Sequence, residues 1–550
     1  MTGSVHRTLA QISSDYFDAY LEAHPTTAAW MGFHAYDGRV PDLRKPALET
    51  RAADLRRFLE ALDAIDPADL DDRAWLDYQV IRHQAAFEAF MLEDWRRWAR
   101  DPLVYLDALD VSNYILRSYA PLERRVHSLI DHLMGFPAVC DAMQANLTQV
   151  SRPVLRVAVR LAKGTLSFLE SDLPRPVAAL EDEALQRRFA AANQAAVDTM
   201  ASLVGWLEDD VGPRADAGFA LGADRFARML RLGEAVDVPL DHLREIAGAD
   251  LLRNKAAYLD TVAQIAPGRD PHEVAAEGSR NHPDPDQLIE EARRIVEDLR
   301  RFVVQSGVVS VPADENCIVA ETPSFLRSAF AMMYPPGPFE RVAKEAYYHV
   351  TPPRASWSEQ RTEEWMTRFA YHFLRGICVH EAWPGHYLHF LHRRTAPSKI
   401  TRAFGAYSFD EAWAHYCEEM MLEIGWCADD PWARMGQLNE ALVRNVRFVC
   451  ALGLHTEGMT VAEATERFVE DAFMEPAPAQ EEAQRGTGDP QYLNYTLGKL
   501  MLLKLRRDVR TQERANFDLR RFHDRFLSYG APPVPLVRAL MLGRDDQEIL

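Results

Sequence analysis

The chain is 550 residues long, 47% hydrophobic and 26% charged, the composition of a folded protein with length enough for a large core. Its 82 acidic against 62 basic side chains leave a formal charge of -20, which argues against nucleic acid or an anionic membrane as the main partner, because both select a positive surface. No apolar run reaches the roughly 18 residues that a membrane span needs.

The first residues, "MTGSVHRTLAQISSDYFDAYLEA", turn amphipathic at once and hold no apolar core of signal-peptide length. With six scattered cysteines and no C-x-x-C pair, the expected compartment is the cytoplasm. Helical periodicity follows. "LETRAADLRRFLEALDAI" spaces Leu55, Phe58, Leu59 and Leu62 on one stripe. The stretch 266–287, "APGRDPHEVAAEGSRNHPDPDQ", is rich in Pro, Asp and Gly and reads as a connecting segment. It separates an N-terminal helical half, 1–265, from a C-terminal half, 288–550, with one continuous helical fold as the alternative. Beyond it, Leu288, Ala292, Ile295, Val296, Leu299 and Phe302 predict another amphipathic helix, with Asp286 as its N-cap.

Only one region reads as β. Val308 to Val311 and Cys317 to Ala320 are short β-branched runs separated by "PADEN", and "AFAMMYPPG" and "AYYHVTPP" add two more predicted strands. The expected fold is mainly α: a large helical protein with a small sheet beside the chemistry. An edge strand in that place can bind an extended peptide through its backbone.

The chemistry centres on "CVHEAWPGHYLHF". The preceding "EEWMTRFAYHFLRGICV" predicts a helix, with Trp365, Phe369, Phe373 and Ile377 at four-residue steps, so His380 falls near a helix end. A zinc hydrolase commonly carries H-E-x-x-H, two imidazoles one turn apart. Here Pro384 occupies the fourth position after His380, where its ring opposes the His380 carbonyl and it offers no amide hydrogen. A bulge or break at Trp383-Pro384-Gly385 would bring His386 back beside His380, with Gly385 supplying the backbone freedom. Downstream, "FDEAWAHYCEEMMLEIGW" puts Glu411, His415 and Glu418 on one face of a second helix. Catalytic zinc takes three protein ligands and keeps an open position. His380, His386 and Glu411 are the expected ligands and Glu381 the general base. Arg375, Arg402 and Arg444 are weaker candidates for gripping a substrate carboxylate.

"HEAWPGHYLHF" resembles the H-E-x-x-P-G-H signature, and "EAWAHYCEEM" the E-G-W-A-x-Y-x-E segment, of the bacterial family called domain of unknown function 885. "HPTTAAWMGFHAYDGRVPDL", "ETPSFLRSAFAMMYPPGPF", "VRFVCALGLHTEGMTVAEA" and "DPQYLNYTLGKLMLLKLR" resemble further blocks of it, in the right order. That family looks like a distant relative of zinc peptidases in the thimet-oligopeptidase style. The resemblance implies a zinc-dependent peptidase or amidohydrolase acting on short peptides or a small amide-bearing metabolite. It carries two further residues into the catalytic set: Tyr495, whose phenol would meet the oxyanion, and His455, for the same purpose or for substrate. Tyr387 and Ala412 depart from the family's usual histidine and glycine, and Ala451 from an aspartate before the late histidine. Iron or manganese on the same ligands is the alternative cofactor, since two histidines and a carboxylate also form non-haem iron sites. A helical binding protein without activity is the non-enzyme alternative.

Overall fold

Residues 2–216, 218–313, 315–323, 327, 329–544 and 548–550 are described in the computed structural model of the chain. Helices carry most of it, and the strands form one three-stranded sheet, as the periodicity predicts.

Contacts group the chain into two units. The first comprises Met1–Phe219 with Pro336–Lys344. Its main helices are α1 (Thr2–Ala23), α2 (Lys45–Asp63), α3 (Asp72–Phe90), α4 (Leu122–Met134), α5 (Arg152–Ser171) and α6 (Glu183–Trp206). In α2 the expected stripe buries Leu55 and Leu62 fully, while Phe58 meets Tyr16 edge-on. Helix α6 packs against α4 and α5 around Leu129, Leu133, Leu169, Ala196, Met200 and Leu203. The 336–344 segment joins this unit because His34 Nε2 bonds Glu340 at 2.8 Å and Phe339 packs on Phe33.

The second unit comprises Ala220–Pro323, Arg327–Pro335 and Glu345–Leu550. It holds α7 (Ala223–Glu234), α8 (Leu240–Ile265) and α9 (Leu288–Ser306), then strands β1 (Ile318–Glu321), β2 (Ala331–Tyr334) and β3 (Tyr347–Val350). There follow α10 (Tyr371–Glu381), α11 (His386–Thr395), α12 (Tyr407–Glu423), α13 (Pro431–Leu452), α14 (Pro476–Gly488), α15 (Asn494–Glu513) and α16 (Leu519–Ser528). Strand order is β1-β3-β2, with β1 parallel and β2 antiparallel to β3, so β2 is an edge. Helix α12 lies along α15, and Gly498 permits that approach: a Cβ there would overlap the Ser408 carbonyl and meet the Ala412 methyl at 2.7 Å. Among the described residues no helix is long and apolar enough to cross a membrane.

Four sequence expectations differ from the structure. The 266–287 stretch is not bare connection: it forms a helix, Pro271–Ser279, capped by Asp270 and packed by Gly278 on Trp432 within the second unit. Asp286 is not the N-cap of α9; Gln287 takes that place at the end of a turn, without a side-chain bond. The Val308–Val311 run is not a strand, because other groups take its backbone. The Val308 carbonyl meets His523 Nδ1, the Ser310 amide donates to Asp524, and the Ser310 carbonyl meets His392 Nε2. The helix over "EEWMTRFAYHFLRGICV" is broken at Ala370, which is extended, into Glu359–Met366, a tight turn and α10.

Candidate metal centre

Helix α10 ends at Glu381, three residues before Pro384, as the missing amide hydrogen requires. The Trp383–Pro384 bond is cis. Trp383 is buried, with its indole donating to Asn316, and the Pro384 carbonyl accepts from Trp413 at 2.7 Å. The Gly385 amide then donates to the Val379 carbonyl at 3.0 Å. Gly385 has a φ of -70°, so its left-handed freedom is not what the turn needs. It needs the space: a Cβ would overlap the carbonyl oxygens of His380 and Val379. Across this turn His386 opens α11 beside His380, the rings perpendicular with centroids 4.7 Å apart.

Glu411 arrives from the second turn of α12. Its Oε2 lies 3.3 Å from His380 Nε2 and 3.5 Å from His386 Nε2. One ligand atom from each of the three residues falls within 4.8 Å of the others. That oxygen is buried and shared between the two imidazoles, so the three side chains converge on one point. Two imidazoles and a carboxylate, so placed, fit a divalent transition metal such as zinc.

A buried set of charges fixes the donors. Glu418, two turns beyond Glu411, accepts from His380 Nδ1 at 2.7 Å, which directs Nε2 at the shared point. It also meets His415 Nδ1 at 3.2 Å and Arg444 at 3.3 Å. Burial alone would lower the His380 pKa, but the bonds to Glu411 and Glu418 outweigh it and lift the imidazole to about 9. His386 is also raised, its burial overcome by Glu411. Burial pushes the Glu411 carboxyl up, and the His386 charge with bonds from both histidines holds it well below the usual carboxylate range instead. Glu418 is held low in the same way, by Arg444 and His415.

Glu381 follows His380 on the same turn and accepts the Met333 amide of edge strand β2 at 2.8 Å. Tyr495, from the first turn of α15, stacks at 20° to His380 with centroids 6.4 Å apart. Three guanidiniums face its ring, Arg447 at 4.9, Arg444 at 5.6 and Arg485 at 5.8 Å. Burial and then Glu411 raise the phenol pKa against the pull of Arg485 and Arg447, which keeps Tyr495 a proton donor.

The other expected residues fall elsewhere. His455 is buried, stacked on Phe226 with Nε2 on the Gly486 carbonyl, and burial lowers its pKa to about 4. Neither Phe226 nor Gly486 belongs to the His/His/Glu group. Arg375 pairs with Asp430, and Arg402 donates to the Ala396 carbonyl. Arg444 does reach the site, but it is buried against Glu418 and Glu440. Tyr387 is buried edge-on to Trp383. Sequence reasoning missed Arg447, bidentate to Glu482 at 2.8 Å, and Arg485, which meets Tyr407 and Asp489. An arginine three residues beyond Arg444 was the signal for Arg447. Nothing marks the Met333 amide, a backbone group.

These features define a mainly helical protein with a three-stranded sheet and a partly buried His/His/Glu group able to hold a metal. The chain belongs to the family described as bacterial protein of unknown function (DUF885), which matches residues 25–541. In fold it is similar to a putative lipoprotein of unknown function from Shewanella oneidensis, at 24% identity and TM-score 0.81, covering 97% of this chain and 99% of that one. It is also similar to a putative lipoprotein from Colwellia psychrerythraea, at 16% identity and TM-score 0.79, covering 96% and 98%. No curated protein matches it.

Proposed function

We propose that the protein is a zinc-dependent hydrolase that cleaves a peptide or amide bond in short peptides or a small amide-bearing metabolite. The observation that supports this reading is the convergence of His380, His386 and Glu411 with Glu381 on the adjoining residue. A zinc ion on these donors supplies Lewis acidity, which polarises a carbonyl and acidifies water. Glu381 takes the proton of the attacking water as its oxygen bonds the carbonyl carbon, then gives it to the nitrogen as the C–N bond breaks. The Met333 amide holds that carboxylate in place beforehand. Tyr495 donates its phenolic hydrogen to the developing oxyanion, and the arginines around its ring restrain it.

The test is elemental analysis of purified protein, followed by a peptide and amide panel with wild type and Glu381→Gln. Stoichiometric zinc in both proteins, with turnover lost only in the variant, is expected. The same donor set also suits iron or manganese, and Glu381 beside His380 is what favours hydrolysis. Iron with oxygen consumption would overturn the proposal. Six unpaired thiols suit a reducing compartment, whereas the two similar structures named above are described as putative lipoproteins. We take the cytoplasm as the working assignment; recovery of the protein in the envelope fraction after cell fractionation would reject it.

A further inference from the structure

A cavity of about 330 Å³ lies in the same unit as the metal group and shares no lining residue with it. Arg327, Arg354, Arg361, Thr351, Trp357 and Trp365 line it. That volume is at the lower bound for small-molecule sites and suits one side chain or one chain terminus. Its charge stands out in a chain of net charge -20: three lining residues are arginines, and none is acidic. Arg327 is compensated, because it pairs with Glu321 and donates to the carbonyls of Thr322 and Pro352. Arg354 and Arg361 are exposed, and among the described residues neither pairs with a carboxylate.

The walls are set in place. Trp365 donates its indole hydrogen to the Thr351 carbonyl at 2.8 Å and packs at a tilt on Phe330, centroids 4.2 Å apart. Trp357 packs edge-on against Trp365 at 5.2 Å, and the Arg361 guanidinium lies 4.3 Å over the Trp357 ring. Aromatic walls exclude water from one side of a charge and strengthen its pairing, and a stacked guanidinium keeps its fork free for a planar anion.

Strand β2 connects this cavity to the proposed chemistry. Thr351 donates its amide to the Phe330 carbonyl, and Met332 lies opposite His349. Alternation in an antiparallel ladder therefore turns the polar groups of Ala331 and Met333 to the free edge. The Met333 amide, bound to Glu381, shows this directly. Three residue steps lead from Met333 to Phe330, about 10 Å of extended chain. A peptide laid along that edge with its cleaved bond at Glu381 comes within about three residue steps of Phe330, whose ring packs on Trp365 of the cavity wall.

We propose that the Arg354/Arg361/Trp357/Trp365 cavity is a substrate subsite that binds a carboxylate two to three residues from the cleaved bond. This rests on the hydrolase reading above and specifies its substrates as short peptides carrying an anionic group on one side. A C-terminal carboxylate and an acidic side chain share the chemistry, and bidentate pairing with arginine serves both.

Binding is measured on the full chain by tryptophan fluorescence and calorimetry, without reliance on turnover. The ligands are Ac-Ala-Ala-OH, Ac-Ala-Glu-NH2 and neutral Ac-Ala-Ala-NH2. Wild type should prefer one or both carboxylates to the neutral dipeptide by at least about tenfold, and which one identifies the source. Arg354→Gln and Arg361→Gln, both at exposed positions, should abolish that preference. Equal binding of all three ligands, binding unchanged in both variants, or equal competition by inorganic phosphate would overturn the proposal. Hydrolysis assays on the corresponding longer peptides separate the two readings. Selective carboxylate binding without cleavage of any peptide defeats the hydrolase and leaves the anion site standing. Cleavage that is indifferent to replacing the peptide's own glutamate by glutamine and to amidating its C-terminus defeats the subsite alone.

Discussion

Glu418 is the residue that aims His380 at the point shared with His386 and Glu411. Its 2.7 Å bond to Nδ1 orients the ring, and with Glu411 it lifts the imidazole to about 9, so at neutral pH His380 carries a proton until a metal displaces it. Zinc uptake at pH 7.5 should therefore release about one proton per ion from this side chain, read as buffer-dependent heat in calorimetry. Glu418→Gln keeps an acceptor but loses the charge. It should weaken zinc binding by 10- to 100-fold in a chelator competition and reduce the proton release. Unchanged affinity would mean that Glu418 serves only Arg444. The grouping of His380, His386 and Glu411 was legible in the sequence because the two histidines flank one short turn and Glu411 lies early in the next long helix. The Glu418–Arg444 contact was not, because it joins α12 to α13 across 26 residues with no periodicity linking them.

At the scale of elements, the turn between α10 and α11 sets the site. Pro384 made the break legible, yet the reason for Gly385 was not, since sequence shows a glycine and not the two carbonyls it lies against. The same helix supplies a control in Gly376, whose Cβ would meet nothing within 4 Å. Gly385→Ala should cost about 2–3 kcal/mol of stability through forced overlap and displace His386, seen as a lower Tm and lost zinc affinity. Gly376→Ala, inside α10, should instead stabilise by about 0.4–1 kcal/mol. Equal Tm values for the two variants would show that the close approach at Gly385 relaxes freely. The break at Ala370 was hidden for a different reason: Trp365, Phe369, Phe373 and Ile377 keep helical spacing across it, and periodicity does not register one extended residue.

For the whole molecule, the mainly helical class was legible because apolar stripes repeat along the chain. Membership of the two units was not, since 336–344 belongs to the first by contacts of His34 and Phe33 made some 300 positions away in sequence. Nor was Glu234, a charged residue at the end of an ordinary amphipathic helix. In the fold it is buried at the end of α7, accepting the Ser408 amide at the start of α12 at 3.0 Å and Asn494 at 3.3 Å. Burial raises its pKa to about 7, the hydrogen bonds from Ser408 opposing only in part. An acid whose folded pKa is raised binds its proton more tightly when folded, so its stabilising contribution is full below the unfolded value near 4.5 and is lost as pH climbs through about 7. The span between those values corresponds to a loss on the order of 3 kcal/mol. Glu234→Gln, which stays neutral, removes that dependence. Between pH 5 and pH 8 the Tm of wild type should fall relative to that of the variant, most steeply between pH 5 and 7. Parallel Tm curves for the two proteins would show that Glu234 is ionised throughout, with the N-terminus of α12 and its free amides stabilising the charge.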